Sequence, residues 1–289
     1  MKQIAFSRYH PAVSFVFFVC AIGFGVVIQH PFYLLAGCVS AALCAVLLQG
    51  KKAVQMLLGL LPLAAMLAAI NPLFNTRGHH ILFTVIGRPY TLEALLFGMV
   101  ISGMLVVMLL WFSCYNQVIT SDKFVSLFGN LIPALSLLLV MVLRMMPNLS
   151  RKAKQIIGAR SAIGKGASSA DTRREKIDHG MTVLSALTDW ALEGSVITGD
   201  SMRARGYGTG KHVSFQLYRF TGRDGVMLAI ILMLSLFVIL SGGTGAAFTP
   251  VLSIPPLTWG YAAYWALLLI PSALQIKEAI TWRILRSKI

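Results

Sequence analysis

The chain alternates long apolar runs with short polar breaks, and one extended polar stretch lies past its middle. Pro11–Ile28, Pro31–Leu48, Ala53–Ile70, Leu92–Phe112, Gly225–Leu240 and Trp259–Ile276 carry no charge except Glu93. Each approaches or reaches the roughly 20 residues with which an α-helix crosses about 30 Å of hydrocarbon. The pattern predicts six membrane spans, four before the polar stretch and two after it. A seventh uncharged run, Phe124–Leu143, is long enough to be another span. Gly129, Asn130 and Pro133 interrupt it near its start, which suits a helix along the membrane face or beneath the bundle.

Composition agrees with the pattern: 57% of the 289 residues are hydrophobic and 12% charged, against roughly 25% charged in soluble domains. The net charge of +15 could suggest nucleic acid, but excess Lys and Arg in a multi-pass chain mark cytoplasmic loops, so no nucleic-acid partner is expected. With the N-terminus inside, six spans place 23 Lys and Arg inside and two, Arg77 and Arg88, outside. Seven spans would put the N-terminus outside and give 20 against five. Six satisfy the positive-inside rule better, with both termini and the polar stretch in the cytoplasm. Lys2 and Arg8 precede the first apolar run without a small-residue cleavage site leading into a soluble domain, so that run is expected to be a retained first helix.

The fold class expected is therefore all-α and polytopic. Residues 1–112 form a four-helix transmembrane region, 113–224 a helical cytoplasmic domain, and 225–289 a C-terminal transmembrane pair.

Catalytic and metal motifs are missing. Cys20, Cys38, Cys44 and Cys114 lie in or beside apolar helices without CxxC spacing, and His79-His80 has no nearby acid or cysteine to complete a metal site. Gly164-Lys165-Gly166 resembles the end of a phosphate loop, but Ala159 stands where its first glycine belongs and Gly166 where Ser or Thr would hold magnesium. There is no HExxH, no GxSxG and no intramembrane cluster of Asp, Glu or His, so neither an enzyme nor a proton-driven pump is expected. No metal or cofactor of its own is predicted.

Two tripeptides in the polar stretch stand out: Ala159-Arg160-Ser161 and Ala204-Arg205-Gly206. Pro147 can start a first basic helix that ends near Arg160, with Gly158 and Gly164 available as stops. Ser168-Ser169 to Lys176 reads as a turn or short linker, and a second helix is expected from about Asp178 to Arg205. On a helical wheel Asp178, Asp189, Glu193 and Asp200 fall within about 60° of one another, with Arg205 near 160° on the opposite face. Arg203 can pair with Asp200 three residues back, whereas Arg205 and Arg160 have no carboxylate at helical spacing. A lone arginine at a helix C-terminus complements the helix dipole. Two unpaired copies, each followed by a small residue, instead suggest docking, because a guanidinium is a planar fork suited to a partner's carboxylate or carbonyl.

On these residues the chain resembles the transmembrane T component of energy-coupling factor (ECF) transporters, which import vitamins and transition-metal ions. The resemblance rests on Gly158-Ala159-Arg160-Ser161, on Ser201-Met202-Arg203-Ala204-Arg205-Gly206-Tyr207-Gly208, and on Arg219 to Asp224 leading into a C-terminal helix pair. It extends in arrangement over nearly the whole chain, and Ser161 departs from the family's Ala-Arg-Gly. What it implies is a non-catalytic scaffold. Two cytoplasmic ABC-type ATPase subunits, which bind the ATP, would each receive one coupling helix, and a small membrane substrate-binding subunit would be gripped in the bilayer. Ala159, Arg160, Ser161, Ala204, Arg205 and Gly206 would be the ATPase-docking residues. Gly194, Ser195 and Gly199 would let the coupling helices cross closely, while Phe124–Leu143, Leu184, Leu187 and Ala191 could grip the substrate subunit or form the chain's own core. An autonomous carrier or channel is the alternative, with Asn116 and Gln117 as its polar groups.

Overall fold

A computed structural model describes residues 5–75, 80–85, 88–128, 133–164, 172–210, 218–242 and 255–286. Arg77, His79, Gly129, Asn130, Lys165, Gly166, Ser168 and Ser169 lie outside these. A 3-10 turn, Ala5–Arg8, precedes α1 (Pro11–Val27), α2 (Pro31–Gln49) and α3 (Lys51–Phe74). An antiparallel pair, β1 (Ile81–Val85) and β2 (Arg88–Thr91), leads into α4 (Leu92–Val118) and the short α5 (Ser121–Phe128). Then follow α6 (Pro133–Ala162), α7 (Arg173–Ala204), α8 (Gly222–Ser241) and α9 (Gly260–Arg286).

The elements fall into two units, one joining residues 1–123 and 218–289 and the other holding residues 124–217. In the first, α2, α3, α4 and α8 are long and apolar enough to cross a membrane, and α1 is an apolar helix of 17 residues. The protein is thus predominantly helical and, by the length and composition of these helices, a multi-pass membrane protein. Its core packs Phe17 and Phe18 of α1 edge-on against Trp111 of α4, with Tyr33 of α2 beside Tyr264 of α9. Small residues bring the helices together: a side chain on Gly98 of α4 would meet the Ala68 carbonyl of α3 at 2.7 Å. Where hydrocarbon gives no hydrophobic drive between helices, such close approach and interhelical hydrogen bonds supply the adhesion. Gln49 donates to the Ser113 hydroxyl at 2.7 Å, and Asn71 to the Ala94 carbonyl at 3.1 Å.

One end of this unit is fastened through its N-terminal residues. Phe6 is buried in the core, and the Lys123 ammonium donates to the Ser7 carbonyl and hydroxyl, both at 2.6 Å. Arg8 pairs with Glu278 of α9 at 2.7 Å. The His10 N–H donates to Asp224 at 2.9 Å, and the same carboxylate accepts from the N–H and hydroxyl of Thr221 to close a capping box on α8. The N-terminus, the end of α5's first turn, the start of α8 and the far part of α9 therefore share one end of the unit.

Several boundaries differ from the sequence reading. Proline opens α1 and α2 as expected of a residue with a preset φ and no N–H to lose. The described part of α6 runs from Pro133, and Pro147 lies inside that helix and does not start it. Of the run Phe124–Leu143, residues 124–128 lie in α5 and residues 133–143 in α6. The next helix, α7, starts at Arg173 and not near Asp178, because Thr172 is its N-cap and Glu175 accepts the Thr172 N–H at 3.3 Å. Ser113–Val118 continue α4 and belong with the spans. Asn116 and Gln117 are exposed in its last turn.

Candidate functional site

The two tripeptides lie in the second unit, where α6 and α7 run antiparallel. Lys152 of α6 sits over the Trp190 ring of α7, 5.8 Å from its centre. Further along, Arg160 of α6 reaches His179 of α7. On α7 a single stripe, His179, Val183, Leu187, Trp190, Ala191, Gly194 and Met202, is half-buried, and no residue of the helix is fully buried. Leu187 and Ala191 are thus on the α6-facing stripe, while Leu184 is exposed, as are Ile177, Met181, Leu192, Val196 and Ile197. The expected tight crossing at small residues is not seen: a side chain on Gly194 or Gly199 would meet nothing within 4 Å, and Ser195 turns its hydroxyl to the Leu192 carbonyl. The pair is held at Trp190 and His179 instead.

The second tripeptide ends its helix as its glycine predicts. Arg205 is the C-cap of α7, and Gly206 follows at φ 79°. The Tyr207 N–H bonds to the Met202 carbonyl and the Gly206 N–H to the Arg203 carbonyl, both at 3.0 Å. These two bonds are a Schellman motif, which requires a left-handed residue at Gly206. The Arg205 side chain is exposed and has no partner among the described residues. Gly206→Ala should cost about 1 kcal/mol, the strain of a Cβ in that conformation. Exchange of the Tyr207 amide should quicken by about fivefold, and an unchanged rate would show that the terminus does not depend on glycine.

The first tripeptide is built differently. Ala159, Arg160 and Ser161 all lie inside α6, which runs to Ala162, and the left-handed stop falls on Gly164 at φ 73°. Ser161 takes no part in ending the helix: its hydroxyl donates to the Ile157 carbonyl at 2.9 Å. Gly158 is mid-helix as well. Nor is Arg160 unpaired, since its Nη2 lies 2.8 Å from His179 Nδ1, while its Nε is buried with no hydrogen-bond partner.

Two further sequence expectations need correction. No ion pair joins Arg203 to Asp200, and both are exposed. The acids Asp178, Asp189, Glu193 and Asp200 are exposed along α7. His179 is the residue that sequence reasoning missed, because its contact with Arg160 depends on the register between two helices. The capping signature Thr172-x-x-Glu175 was there to be read.

No protein-family model matches the chain, and no curated protein matches it either.

Proposed function

We propose that the chain is the transmembrane scaffold subunit of an ATP-driven importer of the energy-coupling factor type. It would couple two cytoplasmic ABC-type ATPase subunits, which bind the ATP, to a small membrane subunit that captures a vitamin or a transition-metal ion. The observation that carries this reading is the spacing of the two arginines. Arg160 is fixed at His179, and Arg205 caps the same helix 26 residues further on, about 39 Å away at roughly 1.5 Å per residue. That exceeds the roughly 30 Å width of a small domain, which suits two separate partners.

The fastening of the N-terminus supports six spans, with α1 and α9 completing the four longer apolar helices, and the membrane we propose for them is a prokaryotic cytoplasmic membrane. In a seven-span chain the N-terminus and the start of α8 would lie on opposite faces, yet His10 bonds to Asp224. Arg8 and Glu278 bring the later part of α9 to the same side. By the positive-inside rule that side is the cytoplasm.

Copurification tests the proposal. The tagged chain, extracted from its native membrane in mild detergent, should carry two ATPase subunits and a small apolar membrane protein. Isolation by itself, with transport after reconstitution of this chain and no ATPase, would establish the autonomous carrier instead.

A further inference from the structure

We infer that His179 is the positioning residue for Arg160, accepting from the guanidinium and presenting it to an ATPase. The inference deepens the docking reading and rests on it.

The chemistry of the contact fixes the roles. A guanidinium carries five N–H donors, has no acceptor and keeps its charge throughout the accessible pH range. At 2.8 Å from Arg160 Nη2, His179 Nδ1 must accept, so its ring proton resides on Nε2. Arg160 has Ile156 and Ile157 at the preceding helical positions and its Nε is buried without a partner. Among the described residues nothing on α6 aims the side chain. His179 comes from the next helix and occupies one edge of the fork, leaving other N–H groups for a partner's carboxylate or carbonyl.

The surroundings leave this contact dependent on the imidazole. From α6, Arg160 is the charged group shown against His179 among the described residues. On α7, Glu175 and Lys176 precede it at helical spacing, and Arg174, Glu175 and Asp178 line with it an open groove of ≈ 540 Å³. All four of these neighbours are exposed, so solvent screens them more than it screens the half-buried contact. Removing the Nδ1 acceptor therefore leaves the Arg160 guanidinium with no partner among the described residues.

The test uses the detergent-purified complex of the full chain with its ATPase subunits and reads ATPase retained per chain after a salt wash. Arg160→Ala should lower the affinity about thirtyfold, the cost of truncating one hydrogen-bonded charge contact in an interface. His179→Lys should match it, and the double variant should be no worse than Arg160→Ala, since one interaction is lost either way. His179→Asn, whose amide oxygen can replace Nδ1 as acceptor, should stay near wild type. Additive losses in the double variant would overturn the inference. So would His179→Asn as impaired as His179→Lys at an unchanged melting temperature. If His179→Lys does not fold, His179→Phe removes the acceptor without adding charge and carries the same expectations. Should Arg160→Ala lose ATPase while His179→Lys and His179→Phe keep it, positioning fails and docking stands. Full retention by Arg160→Ala would end both for this residue.

Discussion

Arg160→Ala combined with Arg205→Ala should strip both ATPase subunits from the purified complex and abolish ATP-driven uptake. A hydrogen-bonded charge pair in an interface costs at least about 2 kcal/mol when one partner is truncated. Two such losses separated by about 39 Å share no contacts and are independent, so the affinity for each ATPase should drop about thirtyfold. Either single change should leave one ATPase more firmly held than the other, a lopsided stoichiometry that a general loss of folding would not produce. Arg205→Ala is the cleaner of the two, because its side chain is exposed and has no partner among the described residues. Full retention of both ATPases and full uptake in the double variant would refute docking by these residues.

Arg203→Ala is the control, for a reason other than the ion pair that its sequence suggests. Asp200 does not hold it, but Arg203 lies roughly 200° around the helix from Arg205. A partner seated on the Arg205 face meets Arg203 least, and the substitution should lower retention by less than about threefold. A loss equal to that of Arg205→Ala would mean that the partner surrounds the end of α7.

How much could be read from the chain depended on the range of the forces involved. The ends of α1 and α2 and the stop at Gly206 were legible, since a proline at a first helical position and a glycine in a left-handed one act within a single turn. The start of α7 was equally local, written in Thr172 and Glu175. Pro147 misled because a proline is a local signal that a long helix can override by forgoing one backbone bond. The Arg160–His179 contact and the open space around Gly194 were not legible. Both depend on how α6 and α7 slide and rotate against each other, which no local rule sets.

That helix pair also explains why its site is better defined by its ends than by its middle. No residue of α7 is fully buried, and apolar side chains such as Leu184 and Leu192 are exposed, so the helix meets α6 along its half-buried stripe alone. The capping box at Thr172 and the Schellman turn at Gly206 nevertheless fix where the helix begins and ends.

Lys123→Met should lower the melting temperature of the purified chain by roughly 4–8 °C, the equivalent of about 2 kcal/mol. Lys123 is the last residue of the first unit before the inserted one, and its side chain is 5% exposed. Burial costs the ammonium hydration and pulls its pKa below the ordinary 10.5. Acceptors among the described residues offset part of that cost: the Ser7 carbonyl and hydroxyl at 2.6 Å and the Val118 carbonyl at 3.3 Å. Val118 ends α4, so its carbonyl has no partner within the helix. Methionine keeps the length of the stem and relieves the buried charge, but it leaves these oxygens without their donor, and the second effect outweighs the first. Ser7→Ala, which removes one hydroxyl and spares both carbonyl bonds, should cost about 1 kcal/mol or less. The pH dependence has a definite sign. A lysine whose folded pKa lies below 10.5 releases its proton first in the folded chain, so stability rises with pH just below that value. Lys123→Met should abolish this rise. A methionine variant that melts with the wild type would mean that the ammonium's desolvation cancels all three hydrogen bonds, and that Phe6 and the Arg8–Glu278 and His10–Asp224 contacts hold the N-terminus without it.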